Sequence, residues 1–330
     1  AGQTYVFRVK AKNGDDVETD YGSTLSVTTL LSGPSMVTPE TLSTTSIRWK
    51  FTDVDNTETG FKIIDSGNIE KVSCTGSNLL YCDETNLLPG TSYSRKVYSY
   101  NSSSQSPYSS LMSGYTYASI PGVPVVASTD ASSINLRIDT NGNGSTTQYL
   151  IQESQTGRFV NIADGILGTV ESWNTYVSWG GGLGVDILGL NPNETYIFKV
   201  KAKNGNGILT EYSQPSTIVT RANIPANVQM SEISSTSVKV IFDVNNNPVS
   251  TEYVIQDENS GTFVNPITRN LVSTEVWGTY SVYGAGDGIT VGGLDADKEY
   301  SFRVKARNSD NLETAYSAST GGTVIGAKIL

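Results

Sequence analysis

Along residues 196–203 the side chains alternate in character. Tyr196, Phe198, Val200 and Ala202 fall on one side, and Ile197, Lys199, Lys201 and Lys203 on the other. A period of two with a cationic outer side predicts a half-buried β-strand. The same phrase, an aromatic start and an asparagine end, occurs at Tyr5–Asn13, Tyr93–Asn101, Tyr196–Asn204 and Tyr300–Asn308. Each copy is followed by a further tyrosine: Tyr21, Tyr108, Tyr212 and Tyr316. Shorter alternations at 46–51, 61–64, 134–138, 149–152 and 238–242 stand between turn-forming Gly, Asn, Asp and Pro residues. No segment sustains a helical period. Many short strands with such turns predict an all-β chain of antiparallel sandwiches.

The repetition sets the domain organisation. Pro121 and Pro225, Asp139 and Asp243, and Trp173 and Trp277 are each separated by 104 residues. The chain divides into units 1–31, 32–118, 119–222 and 223–330, with Pro34, Pro121 and Pro225 opening the later three. Units three and four carry extra sequence before the phrase, including Phe159 and Trp173 in one and Phe263 and Trp277 in the other. The linkers Ala118–Pro121 and Ala222–Pro225 are short and contain proline, which favours stiff joints. Units in line predict a rod on the order of 100 Å long.

Ahead of three phrases stands Leu-x-Pro/Ala-x-x-x-Tyr, from Leu87 or Leu88 to Tyr93, Leu190 to Tyr196 and Leu294 to Tyr300. It resembles the tyrosine corner of fibronectin type III domains, where the ring packs and its hydroxyl caps a loop. The Val-Lys-Ala-Lys-Asn continuation is similar to the sixth strand of that family, especially in secreted bacterial proteins. The resemblance spans nearly the whole chain. It implies tandem fibronectin type III-like antiparallel β-sandwiches arranged as a rod. The family's second-strand tryptophan has a counterpart in Trp49 alone. Leu136 and Val240 replace it later, so those cores are expected to be organised differently.

Charge and composition narrow the function. Lys and Arg number 22 against 32 Asp and Glu, a net charge of −10, with no basic run. Nucleic acid is therefore a poor partner. No stretch approaches the ~20 apolar residues of a membrane helix, so no membrane insertion is expected in this segment. The chain has no histidine, which removes the commonest general base and neutral metal ligand. Cys74 and Cys82 are too few for a zinc site and fit an oxidising compartment. A disulfide between them is expected inside the second unit.

Several residue groups carry candidate chemistry. Asp139, Asn141 and Asn143 match the opening of a calcium loop, and Asp243, Asn245 and Asn247 repeat it. The expected bidentate glutamate is Leu150, however, and Pro248 replaces the turn glycine. A hydrogen-bonded turn between strands is the competing account. Trp173, Tyr176 and Trp179, with Trp277, Tyr280 and Tyr283, are candidates for assembly or glycan contact. If the segment is a strand, both tryptophans share a face and pack across strands. The glycine-rich runs 179–184 and 283–288 lack a phosphate-loop ending and are expected to be hairpin turns. Glu153 with Glu171, or Asp257 with Glu275, are the carboxylate pairs available for glycoside hydrolysis, but thin sandwiches offer no deep cleft. Sequons occur at Asn101, Asn143 and Asn193.

These features point to an extracellular or cell-surface protein without catalysis or cofactors: a stalk, adhesin or filament subunit. Its expected partners are other copies of itself, neighbouring repeats or surface glycans. The alternative is an accessory carbohydrate-binding or spacer region of a secreted polysaccharide-active enzyme. Residues 1–31 are expected to supply the last two strands of a sandwich whose remainder precedes Ala1 in a longer chain, or else a hairpin that docks on another subunit.

Overall fold

The computed structural model describes residues 1–53 and 56–324, and among these it is all-β. Two 3₁₀ turns are the only helical elements among the described residues. The residues group into two compact bodies. One comprises 1–121, 140–149 and 201–212; the other comprises 122–139, 150–200 and 213–330.

In the first body, Thr4–Phe7 pairs antiparallel with Leu25–Thr28, and both strands are largely exposed. Residues 32–118 form two facing sheets. One centres on Ile47–Thr52, which pairs with Ser35–Met36, Glu40–Thr41 and Tyr81–Glu84. The other has the order Met112–Tyr115, Ser92–Tyr100, Gly60–Ile64, Glu70–Thr75. Alternation puts Ile47, Trp49 and Phe51 from one sheet against Phe61, Ile63 and Val97 from the other. All six are fully or almost fully buried.

In the second body, residues 223–324 show the longer sandwich. Ala226–Ser231, Val238–Asp243 and Ile289–Val291 form one sheet. The facing sheet has Glu252–Asp257 against Glu299–Arg307, with Glu252 opposite Arg307 and Asp257 opposite Phe302. Thr320–Thr323 closes its edge beside Glu299–Arg307; the strand expected to continue toward Leu330 otherwise lies outside the described residues. The third repeat follows the same plan where it belongs to this body. Ser133–Arg137 pairs with Val125–Thr129 and Val185–Leu188, and Thr195–Phe198 faces Ser216–Val219.

The extra sequence of the longer repeats explains how they manage without Trp49. Each copy opens on a short hairpin, Phe159–Val160 with Leu167–Gly168 and Phe263–Val264 with Leu271–Val272, followed by the two-residue strand Asn174–Thr175 or Gly278–Thr279 and a 3₁₀ turn. The stretch from Trp173 to Trp179 is not one continuous strand, since only Asn174–Thr175 is extended and turns follow it. Instead each copy folds a large ring inward, Trp179 in one and Tyr283 in the other, both 1% exposed. Leu136 and Val240 leave volume that an indole fills in the second repeat, and the inserted ring supplies aromatic bulk from another direction.

Candidate functional site

The tyrosine corners are present in all three sandwiches. The hydroxyls of Tyr93, Tyr196 and Tyr300 accept hydrogen bonds from the backbone N–H of Leu88 (2.8 Å), Asn191 (2.8 Å) and Asp295 (2.9 Å). Two corners also share a threonine hub. Thr116 Oγ1 donates to Leu88 O (2.8 Å) and accepts from Thr91 N–H (3.0 Å). Thr220 Oγ1 does the same with Asn191 O (2.6 Å) and Glu194 N–H (3.0 Å). Both threonines are fully buried.

Each hub is tied to the following repeat by asparagines. At 118–121, Asn204 Nδ2 donates to Thr116 O (3.0 Å). Asn143 grips Ser119 at both ends: Oδ1 accepts from its N–H (2.7 Å) and Nδ2 donates to its carbonyl (2.9 Å). Asn141 Nδ2 donates to Ile120 O (3.0 Å). The joint at 222–225 repeats this bond for bond. Asn308 donates to Thr220 O (3.1 Å), Asn247 grips Asn223 at 2.7 and 2.8 Å, and Asn245 donates to Ile224 O (2.9 Å). Asn193 adds a buried bond to Thr251 Oγ1 (2.9 Å) and accepts from Ser309 N–H (2.9 Å). This clasp accounts for the grouping of loops 140–149 and 201–212 with residues 1–121.

The residues read as a calcium loop are the ones that build the clasp. The amide oxygens of Asn143 and Asn247 face linker N–H groups, and Asp243 Oδ1 accepts from Asn245 N–H (2.8 Å). Among the described residues there is no cluster of three His, Cys, Asp or Glu suited to a metal. Every sequon amide nitrogen is also engaged: Asn101 with Thr57 O (3.1 Å), Asn143 with Ser119 O, and Asn193 with Thr251. Glycan attachment uses that nitrogen, so it competes with these bonds.

The aromatic candidates separate by depth. Trp179 and Tyr283 are core residues, and Tyr283 donates to Val276 O (2.8 Å). Tyr280 stands edge-on to Phe242 (5.2 Å) and Tyr253 (6.3 Å), so it packs with the core. Burial pushes the Tyr253 phenol up to about 12. Trp173 and Trp277 lie nearer the surface and donate their indole N–H to Glu171 (2.8 Å) and Glu275 (3.2 Å). Trp277 is flanked by Arg307 (4.5 Å) and Lys305 (5.3 Å), and Tyr316 by Arg303 (4.2 Å) and Lys305 (5.1 Å). The tyrosine after each phrase is thus a shelf for strand cations. Arg8 rests on Tyr21 (4.1 Å), Lys96 on Tyr108 (5.4 Å) and Lys201 on Tyr212 (4.9 Å).

Lys305 is 8% exposed and bridges Glu275 (2.7 Å) and Glu313 (2.6 Å). Burial works against its charge, but the hydrogen bonds to both carboxylates outweigh that and hold its pKa above the usual lysine value. The four carboxylates available for hydrolysis are otherwise employed. Glu153 is buried and accepts from Gln155 N–H (3.0 Å), Thr156 N–H (2.8 Å) and Thr156 Oγ1 (2.6 Å). Burial opposes its charge, yet these bonds prevail and its carboxyl sits below the usual value. Asp257 brackets Ser260 (2.6 Å) and Ser301 (3.0 Å) in the same way, while Glu171 and Glu275 hold the tryptophans.

Cys74 and Cys82 are bonded, with Cα atoms 6.1 Å apart. The bond joins Glu70–Thr75 of one sheet to Tyr81–Glu84 of the other. Beneath it lies a feature the sequence did not disclose. Glu84 accepts bidentate hydrogen bonds from Arg95 (2.6 and 2.8 Å) and one from Trp49 Nε1 (2.8 Å), all buried. The repeated terminal Asn of the Tyr phrases was a visible signal for the clasp; no comparable repeat marks Glu84 or Arg95.

Residues 119–219 and 223–321 each match the family described as fibronectin type III domain. A comparison with curated proteins gave no match. Among solved structures, the chain is similar to the chicken CNTN1 FN1-FN3 domains at 14% identity, with a TM-score of 0.26, covering 89% of this chain and 100% of that one. It is also similar to a two-domain fibronectin type III segment of chicken tenascin, again at 14% identity, with a TM-score of 0.39 and coverage of 62% and 99%. Repeats of this family are extracellular structural and adhesive modules, typically non-catalytic. With matches across more than half of its residues, the chain belongs to the fibronectin type III family.

Proposed function

We propose that this chain is a load-bearing segment of an extracellular or cell-surface repeat protein, a stalk, adhesin or filament subunit that performs no catalysis. The observation that carries this reading is the pair of matching clasps at 118–121 and 222–225, which repeat the same side-chain hydrogen bonds at both linkers. A protein whose task is to hold repeats in register needs its strongest polar contacts there. The disulfide supports an oxidising location. The charge of −10 favours solubility and disfavours anionic partners. Its partners on this reading are further repeats or other copies of the chain. The engagement of Trp277 and Tyr316 by strand cations weighs against a sugar-stacking platform. Electron microscopy of the purified protein, run beside retention on a panel of insoluble polysaccharides, tests the reading. Ordered polymers or cell-surface attachment without polysaccharide retention are the expected result. Retention on one polysaccharide would replace it with the carbohydrate-binding alternative.

A further inference from the structure

The two clasps are geometrically alike but chemically unequal. The chain holds five Asn–Gly pairs, at Asn13, Asn141, Asn143, Asn204 and Asn206, and four of the five serve the 118–121 joint. The 222–225 joint has none: Asn247 precedes Pro248, Asn308 precedes Ser309, and Asn245 precedes Asn246. The turns do not require this difference, since Asn246 and Asn311 adopt the positive φ (63° and 60°) that Gly142 and Gly207 adopt in the other joint (76° and 78°). Gly144 and Gly205 are the exceptions, because a Cβ at Gly144 would collide with Thr91 Oγ1 and one at Gly205 would strike the ring of Tyr115.

Asparagine followed by glycine is the pair most prone to deamidation, because the unhindered glycine nitrogen can reach the side-chain carbonyl carbon. The Gly144 or Gly205 nitrogen forms a bond to Cγ of the asparagine, and Nδ2 leaves as ammonia with the protons that balance the step. Water then opens the five-membered ring to aspartate or isoaspartate. Proline after Asn247 has no N–H to attack with. In the closed clasp the reaction is restrained. Asn204 is 3% exposed, with Nδ2 held by Thr116 O and Oδ1 accepting from the N–H of Asn206 (3.1 Å) and Ile208 (2.9 Å). Gly144 N–H is itself donated to Pro89 O (2.8 Å).

We propose that the 118–121 joint is a one-way latch whose opening is recorded by deamidation at Asn143 and Asn204, while the 222–225 joint is durable. An opened clasp frees both asparagines to cyclise. The carboxylate product cannot donate to Thr116 O or Ser119 O, and it would set an anion against a buried acceptor. Reclosure is thereby disfavoured. The latch accepts water as its only co-reactant.

The test uses the full chain, incubated at mildly alkaline pH with and without sub-denaturing urea, then mapped by peptide mass spectrometry. Tyr117 and Arg221 precede the two linkers, so chymotrypsin cleavage after Tyr117 and trypsin cleavage after Arg221 report the joints separately. Conversion at Asn143 and Asn204 is expected to rise with urea and to exceed conversion at Asn247 and Asn308. Converted molecules should be cleaved after Tyr117 while the Arg221 site stays protected. Asn204→Asp should raise cleavage after Tyr117 by about tenfold without incubation, and Asn308→Asp should do so after Arg221. The wild-type time course stands even where a variant loses repeat folding. Equal conversion at all four asparagines, no conversion in urea, or aspartate at 143 and 204 with an unchanged Tyr117 site would each overturn the latch.

Discussion

Glu84 shows how much one residue can decide. It holds Arg95 on both oxygens and Trp49 Nε1 on one, and both charged residues are buried. Removing one partner of a buried pair strands the other charge, which costs about 3–5 kcal/mol. Glu84→Ala should therefore lower the unfolding free energy of residues 32–118, read from denaturant titration, by that amount. Replacing Glu84 and Arg95 together with apolar residues should recover most of it. A single variant that loses less than the double replacement would refute this. Glu153 provides the corresponding pH dependence. Its folded pKa lies below the usual glutamate value, so its contribution is present above that value and fades as pH falls through the lower, folded one. Wild type and Glu153→Gln should differ most in melting temperature near neutrality and converge in acid. A gap that persists at low pH would show that the carboxylate's charge is not the source.

At the scale of elements, the alternating phrases made the strands legible because a sheet with one buried face writes its period into the sequence. Tyr196, Phe198, Val200 and Ala202 all lie buried. The inserted segment was less legible. Its aromatic residues read as a strand, but Trp179 and Tyr283 lie buried in turns just ahead of the 3₁₀ turns, where the glycines leave no alternation to read. That matters for Tyr280, which looks like a surface anchor in the sequence. Tyr280 packs on Phe242 and donates to its carbonyl (3.3 Å), so Tyr280→Ser should cost about 2–4 kcal/mol in the fourth repeat. A negligible loss for Tyr280→Ser would contradict this packing. The cysteine pair was readable from spacing and turn residues alone. It closes an eight-residue separation between opposed sheets, so replacing both cysteines with serine should cost roughly 2–3 kcal/mol. An unchanged midpoint would mean the unfolded chain gains nothing from release.

At the scale of the molecule, the joints decide whether repeats behave singly. The calcium-like loops were visible in the sequence as Asp-x-Asn-x-Asn, but the groups they hold, the N–H and C=O of Ser119 and Asn223, carry no side-chain signature. Repeat arrays unfold together when the free energy between neighbours is comparable with the stability of each. At 222–225, Asn193, Asn247, Asn308, Thr220 and Thr251 are all buried, and their hydrogen bonds disappear if either neighbour unfolds. At about 1 kcal/mol net for each bond, the coupling is on the order of 5 kcal/mol, a large share of a small domain's stability. The third and fourth repeats should therefore melt in one calorimetric transition whose van't Hoff and calorimetric enthalpies agree for the pair. Asn247→Ala with Asn308→Ala removes three of the clasp's bonds while leaving both sandwich cores intact. That variant should resolve the single transition into two, with the less stable repeat melting first. Two transitions in the wild type, or one transition unchanged in the double variant, would show that the asparagines hold the linker without coupling its neighbours.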